Sequence, residues 1–265
     1  MTIHITSPQN PRIKELIHLR ESKRDRHASR KILVEGRDEI RLALAAGYSP
    51  LSLFLAPGLG ASFQDLGLLP GPETFTVSEA VFAKVSYREH PDGYLGVFPL
   101  PQRSPDELNE KKLTFVLVIE GIEKPGNLGA ILRSADAAGA EAVFICDPRL
   151  DPWNPNVIRA SRGTIFSLPA YPLSNEEALS LLRRHNLCLY AATPEGNRLY
   201  TSLDLTRPLA WIVGSEDKGL SSFWKDACDA QVAIPMFGRI NSLNVSVATA
   251  ILLFETVRQR MEQTG

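Results

Sequence analysis

Three short stretches of the chain carry the residue types that could bind a ligand or do chemistry. Each adjoins an apolar run and is rich in glycine, amide, hydroxyl or charged side chains: EGIEKPGNLGAILRSADAAGA at 120–140, VGSEDKGLSS at 213–222 and IPMFGRINSLNVSVATAILLFE at 234–255. In open parallel sheets, ligands gather beyond the carboxyl ends of the strands, so the residues directly after each strand are the candidates. The three stretches therefore predict a site built from loops at one sheet edge.

The third stretch contains a polar group, Asn241-Ser242-Leu243-Asn244, at the start of a strongly apolar segment. Capping of the following helix by Asn241 or Ser242 would be sufficient reason for these residue types. Ser242 and Asn244 also lie in a context suited to burial, where an unsatisfied polar group costs about 1–3 kcal/mol. We therefore expect both side chains to have hydrogen-bond partners.

The glycines of the first stretch do not form a known phosphate-binding motif. Gly121, Gly126 and Gly129 fit neither G-x-G-x-x-G nor G-x-x-x-x-G-K-[ST]. This mismatch argues against a nicotinamide-dependent oxidoreductase and against a P-loop enzyme.

The composition is that of an ordinary globular protein, with 44% hydrophobic and 22% charged residues in 265. No apolar run reaches the roughly 18 residues of a membrane helix, and the first residues lack the basic-then-apolar order of a secretion signal. We therefore expect a protein that does not span a membrane and that is cytoplasmic, with an organelle matrix as the alternative. The three cysteines are widely spaced, and no His/Cys/Asp cluster has metal-ligand spacing, so neither a disulfide framework nor a metal is expected.

Charge is uneven along the chain although the formal net charge is only -1. Residues 12–31 contain eight basic side chains and three acidic ones. Such a block suits a polyphosphate backbone, or it is a solvated helix face with internal ion pairs. Arg159, Arg162 and Arg239 lie outside this block, and each could either bind an RNA phosphate or be an ordinary surface charge. The candidate RNA contacts are Arg12, Arg24, Arg26, Arg30, Arg159, Arg162 and Arg239.

The residue pattern divides the chain into two domains of the α/β class. Residues 1–100 begin with a basic amphipathic helix predicted over 9–26 and continue in β-α-β order. The polar, Pro-rich stretch 101–112 is the predicted linker. From 113 to 265, nearly continuous apolar strands such as FVLVIEG alternate with helices, which indicates a mostly parallel sheet buried on both faces.

Three element boundaries in the second domain are also predicted. NPNVIRASRGTIF reads as one helix and AQVAIPM as one strand. The final helix is predicted from about Leu243 to Met261.

The ordered stretches NLGAILRSADAAGA, VGSEDKGLSS and IPMFGRINSLNVSVATAILLFE resemble the three motifs of the SpoU/TrmH family of RNA ribose 2'-O-methyltransferases, in the SPOUT superfamily. The N-terminal region, with ILVEGRDEIRLALAAG, looks like the substrate-binding domain that many members carry, related to ribosomal proteins. The resemblance implies a trefoil-knotted α/β domain at 113–265 that binds S-adenosylmethionine in a bent form. It also implies a homodimer through that domain, with the active site near the subunit interface.

The resemblance further implies a role for individual residues. The catalytic candidates are Asn127, Arg133, Glu216, Ser242 and Asn244, and the cofactor-binding candidates are Thr193, Gly214, Ile234, Met236 and Leu243. Family proposals give the arginine a part in deprotonating the ribose hydroxyl. A guanidinium keeps its proton, so stabilising a developing alkoxide suits Arg133 better, or else it forms an ion pair at the dimer interface.

The expected function is S-adenosylmethionine-dependent 2'-O-methylation of a ribose in structured RNA. Ribosomal RNA is favoured because an appended substrate-binding domain resembles the rRNA-directed members. The alternatives are a tRNA 2'-O-methyltransferase and a non-catalytic RNA-binding protein of the same fold.

Overall fold

The computed structural model describes residues 3–67 and 72–264, which form two compact units. The first unit takes in the described residues of Met1–Gln102 together with the later segment Trp153–Ser167. The second takes in Arg103–Pro152 and the described residues of Leu168–Gly265. A segment from the middle of the chain therefore packs as part of the N-terminal unit.

Strands and helices alternate over most of the chain. The first elements are β1 (Ile3–Ile5), α1 (Pro11–Glu21), α2 (Lys23–Ser29), β2 (Lys31–Glu35), α3 (Arg37–Ala45), β3 (Ser52–Leu55), β4 (Glu73–Val77), α4 (Glu79–Val85) and β5 (Tyr94–Pro99). Those that follow are β6 (Phe115–Glu120), α5 (Pro125–Ala137), β7 (Ala142–Cys146), α6 (Pro155–Ala160), α7 (Thr164–Ser167), β8 (Ala170–Leu173), α8 (Asn175–Arg184), β9 (Cys188–Ala192), β10 (Arg198–Leu199), β11 (Leu209–Val213), α9 (Ser222–Ala227), β12 (Ala230–Ala233) and α10 (Val245–Thr264). Short 3-10 turns lie at Pro57–Leu59, Phe63–Leu66, Pro105–Leu108 and Tyr200–Ser202.

The first unit contains a mixed sheet in the order β1-β4-β3-β5-β2, in which β5 runs antiparallel to both of its neighbours. Its core contains the stacked rings of Phe54 and Phe75, whose centroids lie 4.9 Å apart. The predicted β-α-β order is present, but the sheet also includes β1, which the sequence pattern did not indicate.

The helix predicted over 9–26 is in fact two helices separated at Ser22. The Ser22 hydroxyl accepts a hydrogen bond from the Asp25 amide at 3.1 Å, so it caps the start of α2. The helix predicted for NPNVIRASRGTIF is likewise divided, because Arg162 and Gly163 between α6 and α7 have φ values of 53° and 83°. A left-handed pair of residues ends an α-helix.

The second unit contains a sheet in the order β10-β12-β9-β11-β6-β7-β8, and every strand pair in it is parallel. All residues of β6, β7 and β11 are buried. This agrees with the predicted parallel sheet covered on both faces. The long helix α10 packs against α5 and β11, and the buried Trp211 donates its indole N–H to the Thr256 hydroxyl at 2.9 Å.

Two predicted boundaries near the third polar stretch are shifted. β12 ends at Ala233, three residues before the predicted end of the strand, and α10 begins at Val245 instead of Leu243. Pro235 has no backbone N–H to offer a sheet, and the helix starts directly after the residue that caps it, Asn244. Residues 234–244 therefore form a long loop between strand and helix.

Part of the stretch predicted as a linker is folded. Ser104 and Glu107 form a reciprocal capping box around the turn Pro105–Leu108. Leu108 is fully buried in the core of the second unit. Within the ranges that the structure describes, no helix is both long and apolar enough to cross a membrane.

Candidate functional site

The polar stretches meet at the carboxyl-terminal edge of the parallel sheet. β6, β9, β11 and β12 all run in one direction, so the loops that follow them emerge at the same edge. These loops and the start of α10 surround a cavity of about 740 Å³. Its walls combine apolar side chains with backbone from three loops, as expected of a site for a small organic molecule.

All five residues predicted to contact a cofactor line this cavity: Thr193, Gly214, Ile234, Met236 and Leu243. The cavity thus gathers residues from four separate parts of the sequence. Val213, Leu220, Val245 and Ala248 add apolar surface that the sequence motifs had not singled out. The cofactor contacts themselves remain predictions.

Gly214 is required by a close approach of two backbone segments. A Cβ atom at this position would lie 2.2 Å from the carbonyl carbon of Gly219, closer than any side chain can be placed. Gly219 itself has φ of 62° and donates its N–H to the Ser215 carbonyl at 3.0 Å. The loop therefore folds back on itself, which fixes the direction of Glu216 at its tip.

Glu216 is the centre of a cluster of side chains from the start of α5, the loop after β11 and the residue that precedes α10. One carboxylate oxygen accepts a hydrogen bond from Lys124 at 2.6 Å, and the other accepts one from the Asn127 amide at 2.8 Å and a second from the Asn244 amide. The hydrogen bond from Lys124 is the largest cause that lowers the pKa of Glu216. Glu216 is therefore an ionised acceptor that orients three donors.

Asn244 connects this cluster to the last helix. Its Oδ1 accepts hydrogen bonds from the amide of Ser246 at 3.0 Å and from the Ser246 hydroxyl at 2.6 Å, so it is the N-cap of α10. Its Nδ2 donates to Glu216 and, at 3.3 Å, to Asn127 Oδ1. The expectation that Asn241 or Ser242 caps the helix is wrong, since Asn244 caps it while also orienting the cluster.

Ser242 differs from Asn244 in its surroundings. It lines the cavity, but its side chain is exposed and makes no hydrogen bond to the described part of the chain. Among residues 3–67 and 72–264, the expected hydrogen-bond partner for Ser242 is therefore not found, and its side chain lies at the cavity edge.

Arg133 is not brought into the cluster. It lies on α5 six residues after Asn127, a rotation of about 240° around the helix, and its side chain is exposed. It lines neither the large cavity nor the small one formed by Lys124, Asn127 and Glu216. Within this chain, the predicted catalytic arginine and the other predicted catalytic residues are separate.

The predicted RNA-binding arginines occupy different environments. Arg26 is only 1% exposed, and its guanidinium donates to the Leu19 carbonyl at 2.8 Å and to the Arg20 carbonyl at 3.3 Å. It holds the junction of α1 and α2 together, so the prediction that it contacts RNA is replaced by a structural role. Arg12 is half-exposed, pairs with Glu73 at 2.7 Å and covers the Phe75 ring. The exposed members of the set are Arg24, Arg30, Arg159, Arg162 and Arg239.

Sequence reasoning missed two residues of this edge. Lys124 lines both cavities and pairs with Glu216. Lys124 directly precedes Pro125, the first residue of α5. Proline is common at the first position of a helix, so the sequence could have placed Lys124 at the loop–helix junction next to the site.

The second missed residue, Glu120, ends the apolar strand β6 and is 7% exposed. Its carboxylate accepts hydrogen bonds from the Ser221 amide and hydroxyl, both at 2.7 Å, and from the Asn175 side chain at 2.9 Å. Asn175 in turn accepts the indole N–H of Trp224 at 2.8 Å. The sequence did contain a signal for Glu120, because an acidic residue at the end of an otherwise apolar, buried strand must have hydrogen-bond partners nearby.

Sequence profiles of two families match the chain. The SpoU rRNA Methylase family matches residues 114–254, and the MRM3-like substrate binding domain matches residues 10–96. The first match includes the three motifs of the second domain, apart from the last residue of the third, and the second match includes the N-terminal segment ILVEGRDEIRLALAAG.

Relatives and solved structures agree with these matches over nearly the whole chain. A Synechocystis protein named as an uncharacterized tRNA/rRNA methyltransferase is 33% identical, over 97% of this chain and 94% of its own length. A crystal structure of an RNA 2'-O ribose methyltransferase is 43% identical with a TM-score of 0.87, covering 98% of this chain and 100% of the other. An AdoMet-bound rRNA methyltransferase from Sinorhizobium meliloti is 27% identical with a TM-score of 0.87, covering 97% and 98%. The predicted family and the SPOUT fold class are confirmed.

Proposed function

The chain belongs to the SpoU rRNA methylase family, and on this premise we propose that it methylates a ribose 2'-hydroxyl of RNA with S-adenosylmethionine as the methyl donor. The observation that carries the proposal is the cluster of Lys124, Asn127, Glu216 and Asn244 at the rim of the cavity. This arrangement places oriented polar groups beside a pocket with apolar walls, as a two-substrate transfer requires.

The cavity fits S-adenosylmethionine in size and in the nature of its walls. Its volume of about 740 Å³ lies within the range of about 300–1,000 Å³ that is typical of small-molecule and cofactor sites, and Ile234, Met236 and Leu243 offer apolar surface for an adenine plane. The bare backbone at Gly214 leaves no side chain that would narrow the pocket. When bound, the cofactor supplies a methyl group that its sulfonium has already activated, and the residues around it hold it in place.

The side chains of the cluster act by position and charge. Glu216 accepts hydrogen bonds from three donors and has a lowered pKa, so it is a weak base and a good organiser. We propose that it fixes the amides of Asn127 and Asn244 toward the ribose, with Ser242 as a further hydroxyl at the cavity edge. Lys124 adds a positive charge at the point where a phosphate-bearing substrate must approach.

Homodimerisation through the second unit is part of this proposal. Val247, Phe254 and Met261 lie seven residues apart on α10, and their side chains are exposed by 48%, 48% and 68%. Seven residues are about two helical turns, so these side chains form an apolar stripe suited to a second copy of the helix. Because α5 packs against α10 and carries the exposed Arg133, dimerisation by this face would give Arg133 a place at the interface.

The substrate is proposed to be ribosomal RNA, and the place of action the cytoplasm. A relative described as an rRNA methyltransferase supports rRNA. The tRNA alternative stays open because the Synechocystis relative is named for both RNAs. The oxidoreductase considered from the sequence has no remaining support.

Transfer of label from methyl-labelled S-adenosylmethionine tests the proposal. The purified protein is incubated with deproteinised bacterial rRNA and, separately, with bulk tRNA, and ribose methylation is then mapped by resistance of the modified linkage to alkali. We expect label in rRNA at a 2'-O position. Cofactor binding without transfer to either RNA would establish the non-catalytic alternative. Label in tRNA alone would replace the rRNA assignment.

Dimerisation is tested separately by sedimentation velocity. The Phe254→Glu variant places a charge in the middle of the α10 stripe and should convert a dimer to a monomer. The control is Arg184→Gln, an exposed residue on α8 away from the stripe, which should leave the dimer intact. A wild-type protein that is monomeric at micromolar concentration would exclude the dimer.

A further inference from the structure

The first unit carries four arginines on one surface, which we call the α3 arginine surface: Arg37, Arg41, Arg159 and Arg162. Two of them lie on α3, one turn apart, and two come from the segment 153–167 that packs into this unit. From the sequence, Arg159 and Arg162 were candidate RNA contacts with no known neighbours. The structure joins them to two arginines that lie more than 100 residues earlier in the chain.

One carboxylate, that of Asp38, pairs with two of the four arginines. Asp38 lies 3.5 Å from the Arg37 Nε and 3.5 Å from a terminal nitrogen of Arg162. Arg41 and Arg159 are exposed and form no ion pair with the described part of the chain. Exposed ion pairs of this length contribute little to stability, about 0–1 kcal/mol. A second carboxylate, that of Asp92, accepts a hydrogen bond from the Arg37 backbone amide at 2.9 Å. Four guanidinium groups therefore face two carboxylates, so the surface has a net positive charge that a partner can use.

The turn that presents Arg162 is held in an unfavourable backbone conformation. Arg162 has φ of 53°, where an L-residue other than glycine costs about 1–2 kcal/mol. The next residue, Gly163, approaches α3 so closely that a Cβ atom would lie 3.1 Å from the Glu39 Cα. The Gly163 amide is bonded to the Ile158 carbonyl at 2.9 Å, which fixes the turn. The turn is thus the fixed C-terminal cap of α6, and it holds the backbone that carries Arg162 in place.

The segment that carries Arg159 and Arg162 is also anchored by aromatic packing. Phe166 lies at the centre, with ring centroids 5.5 Å from Tyr48, 5.9 Å from Trp153 and 6.4 Å from Phe98. Because Tyr48 and Phe98 belong to the N-terminal part of the unit, the segment is fixed to the same base as α3. The four guanidinium groups therefore start from a rigid surface, which reduces the entropy lost on binding.

We propose that the α3 arginine surface binds backbone phosphates of the RNA substrate, with Arg41 and Arg159 as direct contacts and with Arg37 and Arg162 exchanging Asp38 for phosphate. This inference rests on the proposed function, since it names the surface that holds the same RNA. Guanidinium forks match phosphate oxygens in pairs, and phosphate contacts position a nucleic acid without reading its sequence.

Salt-dependent binding to deproteinised bacterial rRNA tests the surface. The Arg41→Gln/Arg159→Gln double variant removes two charges that form no ion pair with the residues that the structure describes, so it should keep the wild-type melting temperature and cofactor affinity. Each lost phosphate contact should reduce the slope of log K against log salt by about 0.7–0.9, and two lost contacts should weaken binding about tenfold or more at moderate salt. The matched control is Lys111→Gln/Lys112→Gln, which removes two exposed charges from the second unit.

A second variant predicts an effect of the opposite sign. Asp38→Asn removes the carboxylate that competes for Arg37 and Arg162, so rRNA binding should become about twofold to fivefold tighter, with a steeper salt slope. A surface that only stabilises the fold would respond to this change with altered melting and unchanged rRNA affinity.

The outcomes separate this inference from the proposed function. If the wild-type protein neither binds nor methylates RNA, the proposed function is refuted. Wild-type transfer, together with double-variant binding and salt slope equal to those of the control, would overturn the α3 arginine surface alone. If the double variant does not fold, the single variants Arg41→Gln and Arg159→Gln are measured in the same way.

Discussion

Two carboxylates lie near the carboxyl ends of the paired strands β6 and β11, yet their surroundings differ. Glu120 is 7% exposed, and its donors are the amide and hydroxyl of Ser221 and the side chain of Asn175. The side chain of Glu216 is 22% exposed, and its donors are the side chains of Lys124, Asn127 and Asn244. Glu120 fixes where the loop 214–221 ends, and Glu216 orients side chains at the cavity rim.

The difference shows how the same functional group serves the fold in one place and the site in another. A carboxylate bonded to main chain and buried partners loses its contacts only if the structure opens. A carboxylate at the surface, bonded to side chains from separate parts of the chain, stabilises the fold little and mainly determines where those side chains point. Substitutions at Glu120 should therefore affect stability first, and those at Glu216 should affect turnover first.

The largest effect is expected from Glu216→Ala. Loss of the acceptor shared by Lys124, Asn127 and Asn244 should lower kcat about 10²–10³-fold, the range found when one preorganised polar group is removed from an active site. Glu216→Gln keeps one oxygen for the two amides and loses the acceptor for Lys124, so its decrease should be about tenfold. Methyl transfer at saturating cofactor and RNA measures both. Equal, near-normal turnover in the two variants would refute the organising role of Glu216.

The next largest effect is expected from Glu120→Leu, and on stability. The change leaves the Ser221 amide and the Asn175 side chain without their acceptor, and unsatisfied buried groups cost about 1–3 kcal/mol each. We expect the free energy of unfolding to decrease by about 3 kcal/mol in urea titrations. The same substitution at Glu216 is the matched control and should cost less than about 1 kcal/mol, because its ion-pair partner Lys124 is largely exposed. If both substitutions lower the free energy of unfolding by a similar amount, Glu120 and Glu216 do not differ in their contribution to stability.

Much of the architecture could be predicted from the sequence. Buried parallel strands are continuous apolar runs, so β6, β7, β9 and β11 were evident, and polar loops after them indicated the site edge. The motifs also identified four of the predicted cofactor-binding residues that line the cavity, Gly214, Ile234, Met236 and Leu243. What the sequence does not contain is the path of the loops: Lys124 and Glu216 are 92 residues apart, and only the folded loop at Gly214 and Gly219 brings them together.

The failures have equally local causes. Arg26 was predicted as an RNA contact because it lies in a basic run, but the break at Ser22 turns it inward to backbone carbonyls. The helix predicted over 154–166 missed the left-handed turn at Arg162, since an arginine gives no sign of positive φ. Such features depend on tertiary packing, which residue periodicity does not record.

A smaller effect is expected from Asn244, whose two functions can be separated. Asn244→Asp keeps the oxygen that caps α10 but loses the donor to Glu216 and places a second carboxylate beside it. Turnover should decrease about tenfold while stability is retained, because an aspartate at a helix N-cap is favourable. Asn244→Ala loses the cap as well and should cost about 1 kcal/mol of unfolding free energy. If Asn244→Asp is as unstable as Asn244→Ala, Asn244 is not the cap.

The smallest effect is the pH dependence of the Glu216 contribution to stability. Its pKa is lowered from the ordinary value of 4.5, chiefly by the hydrogen bond from Lys124, so the folded state favours the ionised form. The stabilisation is therefore complete above about pH 4.5 and is lost as the pH falls through the lowered pKa. The difference in unfolding free energy between wild type and Glu216→Gln should be constant from pH 7 to 5 and shrink toward pH 3. Because the Lys124 side chain is largely exposed, salt should reduce the difference at pH 7 as well. A difference that grows on acidification would mean that the pKa is raised, and Glu216 would then resemble a buried carboxylate more than the surface organiser that its contacts indicate.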